Sequence, residues 1–98
     1  MATNYNFKIS LYLNPGIKNP AERVKKHLSE YLAPSVYQRL SIGLASYKDN
    51  TSLVEVRGSG VEAFMESVLG YCRELAPDTH AIWASATNGH FTISMGNS

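Results

Sequence analysis

The chain has a single cysteine, Cys72. That excludes an internal disulfide and any multi-cysteine metal site, and such sparing use suits a reducing cytoplasm, the expected location. No apolar run approaches the roughly 20 residues of a membrane-spanning helix, and no signal-peptide pattern opens the chain. Charge of one sign is not in excess: 9 Lys+Arg stand against 8 Asp+Glu, a formal net charge of +1. A DNA mimic needs a strongly acidic surface, and sequence-blind nucleic-acid binding is favoured by a strongly basic one, so neither is expected. Metal ligands are sparse too. His27, His80 and His90 are far apart in sequence and read as surface histidines, so no metal and no cofactor is expected.

What is present is ordinary globular composition, 44% hydrophobic and 17% charged over 98 residues. This supports one domain, residues 1–98, with one modest core. The charges are unevenly divided, with a formal +4 in residues 1–50 and −3 in residues 51–98. Either the surface is polarised or, as we expect, folding sets the two halves side by side.

Hydrophobic periodicity predicts seven elements. Residues 5–13 alternate as a strand, with Tyr5, Phe7, Ile9, Leu11 and Leu13 on one face. Asn19-Pro20 predicts a capped helix start, and Ala21, Val24, Leu28, Tyr31 and Leu32 continue at helical spacing to residue 32. Pro34 should stop that helix. Residues 36–47 read as a second strand with Leu40, Ile42 and Leu44 inward, followed by a Lys48-Asp49-Asn50 hairpin loop. Residues 51–57 read as a third strand with Val54 and Val56 inward. Ser59-Gly60-Val61-Glu62 matches a capping box. It opens a helix over residues 60–75 whose apolar stripe is Val61, Phe64, Met65, Val68, Leu69, Cys72 and Leu75. Gly70 inside that helix predicts close packing. Residues 80–87 and 90–95 form a hairpin about Asn88-Gly89, pairing Ala86 with Phe91, Ala84 with Ile93 and Ile82 with Met95.

The resulting order, β-α-β-β-α-β plus an extra C-terminal strand, predicts an α+β ferredoxin-like sandwich: an antiparallel sheet with two helices on one face. Catalysis is not expected. Cys72 falls on an apolar stripe with no histidine near it in sequence. Glu62 and Glu66 share a solvated helix side, and Gly58 and Gly60 read as a tight strand-to-helix turn rather than a phosphate cradle. Acylphosphatases have this size and topology, but the activity implied by that likeness needs an Arg in the loop after strand one and an Asn on strand two. Here the loop is Asn14-Pro15-Gly16-Ile17-Lys18-Asn19, and strand two has no Asn.

The more informative feature is the uncovered sheet face. Alternation assigns it Lys8, Ser10, Tyr12, Arg39, Ser41, Tyr47, Leu53, Glu55, Arg57, Trp83 and Thr92. Aromatics beside cations suit a self-association or partner surface. Strand three carries Leu53, Glu55 and Arg57 rather than the aromatics of an RNA-recognition module, so single-stranded nucleic acid ranks last.

Three segments resemble the YkoF-like thiamine-binding proteins. Lys8-Ile9-Ser10-Leu11-Tyr12-Leu13 is similar to that family's ISLYPL opening. Val56-Arg57-Gly58 followed by Val61-Glu62-Ala63-Phe64-Met65 is similar to its third strand and second helix. Residues 81–89, ending in Asn88-Gly89, are similar to its fourth strand. The chain departs at Leu13, where the family has Pro, and in the longer stretch of residues 45–52, where Thr51-Ser52 is the nearest match to a Ser-Thr pair. The resemblance implies homo-oligomers formed through sheets and non-catalytic binding of thiamine or its pyrimidine moiety.

Two main functional expectations follow. In the first, a homo-oligomeric small-ligand binder uses Tyr12, Thr51, Ser52 and Trp83 as aromatic wall and hydroxyl donors. In the second, a small protein-binding regulator or inhibitor, of the kind mobile elements encode, uses Tyr12, Tyr47, Arg57 and Trp83 as anchors, with Arg23, Lys25 and Lys26 steering encounter.

Overall fold

The computed structural model describes residues 4–48, 51–87 and 92–97. In chain order it forms β1 (Asn4–Leu13), α1 (Pro20–Tyr31), a one-turn helix α2 (Pro34–Tyr37), β2 (Ser41–Lys48), β3 (Thr51–Val61), α3 (Glu62–Arg73), a 3₁₀ turn at Ala76–Asp78, β4 (Thr79–Thr87) and β5 (Thr92–Asn97). The chain is of the α+β class. Among the described residues five strands make one sheet in the order β2-β3-β1-β4-β5, and every adjacent pair is antiparallel. No helix among the described residues is long and apolar enough to cross a membrane.

The period-2 pattern of β1 decides which side is the core. Tyr5, Phe7, Ile9, Leu11 and Leu13 are buried, as are Val54 and Val56 of β3 and Ile82, Ala84 and Ala86 of β4. Val24 and Leu28 of α1 and Met65, Val68, Leu69 and Cys72 of α3 close over them in one cluster. Both long helices therefore cover the same face and pack through most of the stripes read from sequence; Tyr31 departs, being 48% exposed, and Val61 ends β3 instead of opening α3. An ion pair between Arg23 and Asp78, with Arg23 Nε 2.8 Å from Asp78 Oδ2, ties the basic first half to the acidic second half.

Several boundaries differ from expectation. Residues 36–40 are not strand: Pro34 fits the first turn of α2, and Tyr37 N–H donates to the Ala33 carbonyl at 2.9 Å. Asn19 does not cap α1 through its side chain; it adopts a left-handed conformation with φ 49°, which Asn tolerates. The capping box is absent, because Ser59 and Gly60 remain paired with Asn6 and Tyr5 in the sheet, and α3 starts only at Glu62. Gly58 and Gly60 are strand residues, not a turn. A Cβ on Gly58 would lie 2.8 Å from both Leu40 and Phe7, and one on Gly60 would lie 2.5 Å from the Phe64 ring. Gly70 is exposed with nothing near it. In the last hairpin Thr87 pairs with Thr92, Ala86 with Ile93 and Ala84 with Met95, so four residues, not two, separate the strands. Asn88-Gly89 and Phe91 lie outside the described residues, as do Asp49 and Asn50.

Candidate functional site

The face away from the helices is assembled by the same alternation. Register sets Lys8 opposite Arg57 on one side and Ser85 on the other. The next row holds Ser10, Glu55 and Trp83, and the next Tyr12, Leu53 and Ala81. Trp83 is 52% exposed. Tyr12 and Leu53 are half-buried, and Tyr12 packs against His80 with ring centroids 5.9 Å apart.

Beside these rings lies a charged group. Glu55 accepts a hydrogen bond from Arg57 at 2.8 Å and stands 3.6 Å from Lys8 Nζ. The Arg57 hydrogen bond, with the nearby charges of Arg57 and Lys8, holds the Glu55 carboxyl below the usual glutamate range, against the opposing effect of its partial burial. Two cations share one carboxylate. Above the Lys8–Arg57 pair is an open hollow of about 450 Å³ lined by Asn6, Phe7, Lys8, Arg57, Gly58, Ser85 and Ala86.

The expected contacts do not all gather there. Tyr12, Arg57 and Trp83 share the open face on neighbouring strands. Thr51 is at a remote corner of it, opposite Lys48. Ser52 pairs with Leu13, is 5% exposed and belongs to the core side, so it cannot serve as an open-face donor. Tyr47 is also on the other side. The pairing of β2 with β3 slips between Leu44 and Ser46, leaving Ser46 opposite Leu53 and Tyr47 opposite Ser52. That one-residue bulge reverses the alternation read from sequence. Leu44 keeps the expected side but is 51% exposed at the sheet margin. Arg39 leaves the open face as well: its guanidinium lies 4.6 Å from the Phe64 ring centroid and donates to the Ser59 carbonyl at 2.9 Å. Lys8, Glu55, Asn6 and Ser85 join the site instead. Lys8 and Glu55 were legible as open-face residues, but their pairing needed the strand register.

The steering residues are largely engaged on the helix side. Arg23 holds Asp78, Lys25 stands 3.4 Å from Glu22, and Lys26 is exposed. A second hollow there, of about 420 Å³, mixes Lys18, Lys26 and His27 with Glu22 and Glu30. His27 is not a plain surface residue. Its Nε2–H donates to the Tyr71 carbonyl at 2.7 Å, joining α1 to the C-terminal part of α3. Among the described residues no three His, Cys, Asp or Glu side chains gather as a metal site. No protein-family model, no curated protein and no solved structure matches the chain.

Proposed function

We propose that this chain is a ferredoxin-like sandwich serving as a non-catalytic binding module of the cytoplasm, and that its open sheet face makes the contacts. The order β2-β3-β1-β4 with both long helices on one side supports the sandwich reading. The observation that carries the function is Trp83, half-exposed on an open face that it shares with Tyr12, Leu53 and Arg57. An exposed tryptophan on a rigid strand offers large contact area with little entropy to lose on binding. The first occupant is a small ligand held in a homo-oligomer. Lys8 and Arg57 outnumber Glu55, so this face favours an anion over thiamine, which carries a fixed positive charge. A protein partner is the second reading, favoured by the placing of Trp83, Tyr12 and Arg57, residue types that anchor interfaces, on one face of the sheet.

Native mass spectrometry of untagged protein from its own host tests the reading, with the emission of Trp83, the only tryptophan, followed on dilution. A homo-oligomer with retained small-molecule mass, and a red shift of the emission as dilution dissociates it, is the expected result. A bare monomer with unchanged emission overturns the homo-oligomeric form, and a monomer held to a larger protein favours the second reading. Trp83→Ala should change stability by less than about 1 kcal/mol, because the ring is half in water, while abolishing the association. A loss of several kcal/mol in urea unfolding would instead make Trp83 a core residue.

A further inference from the structure

We propose that the hollow above Lys8 and Arg57 is a subsite for a phosphate monoester carried by a small molecule whose remainder lies over Trp83. This rests on the reading of the open face as a binding surface. Lys8 and Arg57 are direct cross-strand partners on β1 and β3. Like charges in that position repel, and a bound anion would relieve that repulsion. Glu55 supplies one negative charge, but only from the row on the Trp83 side. The hollow opens on the opposite side, towards Asn6 and Ser85, and has no carboxylate in its lining. Its polar side chains are two cations, a primary amide and a hydroxyl, all able to donate hydrogen bonds. With Glu55 counted, the local charge is a net +1, so it is the donor set rather than the charge that favours phosphate: four donor side chains can meet several phosphate oxygens, whereas a carboxylate offers only two. Trp83 is one row along from Ser85 on β4. Alternate residues on one face are about 7 Å apart, a span that separates a phosphate from a ring attached through a short linker.

The test is a titration of uniformly ¹⁵N-labelled protein with inorganic phosphate, with acetate and with phenyl phosphate, at constant ionic strength set by chloride. Phosphate should produce saturable amide shifts confined to residues around Lys8, Gly58 and Ser85. Phenyl phosphate should bind more tightly and also shift the Trp83 indole. Lys8→Gln and Arg57→Gln should each weaken phosphate roughly tenfold, and Lys8→Arg should keep it, with thermal melting used to verify that each variant is folded. The proposal is overturned by phosphate shifts that do not saturate, by acetate binding as tightly as phosphate, or by folded Gln variants that bind unchanged. Trp83-dependent association measured in phosphate-free buffer separates the two claims. If association persists and phosphate fails, only the subsite is lost. If phosphate binds while Trp83→Ala changes no association, the subsite stands and the wider reading falls.

Discussion

Cys72 is buried on the inner side of α3, and burial pushes its thiol up to about 12. At neutral pH it holds its proton and is no nucleophile. A thiol-specific disulfide reagent should therefore leave folded protein unmodified and react stoichiometrically once urea unfolds it; prompt reaction of folded protein would contradict the burial. Glu55 behaves in the opposite sense. Its carboxyl is lowered chiefly by the Arg57 hydrogen bond, so the charged form stabilises the fold above the unfolded-state value of about 4.3. That contribution is lost as pH falls through the lowered value, where Lys8 and Arg57 face each other without a counter-charge. Glu55→Gln should be less stable than wild type at pH 7 and should lose less on going to pH 3. Urea midpoints at the two pH values measure the difference, and parallel losses in both proteins would mean that Glu55 is not the responsible group.

The glycines separate two kinds of element. In α3, Gly70 is solvent-facing with no atom close to an added Cβ, so Gly70→Ala should stabilise by about 0.5–1 kcal/mol through helix propensity. In β3, Gly60→Ala would drive a methyl into the Phe64 ring and should cost about 1–3 kcal/mol. Shifts of opposite sign in urea midpoint, at constant m, constitute the check. This contrast also explains what the sequence made legible. β1, α1 and the stripe of α3 were readable because each buries one face, and burial enforces a period. Gly70 and Gly60 were read the wrong way round because a glycine's neighbours come from other elements. Ser59-Gly60-Val61-Glu62 has the letters of a capping box, but strand pairing with Asn6 and Tyr5 outcompetes a local cap. Of the candidate site, Tyr12, Arg57 and Trp83 followed from simple alternation on regular strands. Tyr47 did not, since nothing in the run Leu44-Ala45-Ser46 announces a bulge.

At the scale of the whole molecule, β1 is held on both sides, by β3 and by β4, and lies beneath α3 within the common core. Opening it requires the core to open, so the amides of Ile9 and Leu11 should exchange with solvent last, and those of Ser41 to Ser46 far sooner. Hydrogen exchange followed by NMR should show that order; equal rates would mean that the sheet opens as one unit from its margin. The core also explains why the uneven charge halves do not produce two differently charged lobes, since Arg23 and Asp78 meet across 55 positions of sequence. The slip in β2 has a consequence of its own at this scale. Seven of that strand's eight residues are exposed, and only Lys48, at its end, is charged. An uninterrupted, uncharged margin of this kind is a template on which another chain's strand can grow. The extra residue near Ala45 bends the strand and breaks the regular spacing of its outward N–H and C=O groups, so a would-be partner strand runs out of matching positions after a few residues. The irregularity that removed Tyr47 from the open face thus also works against fibre formation.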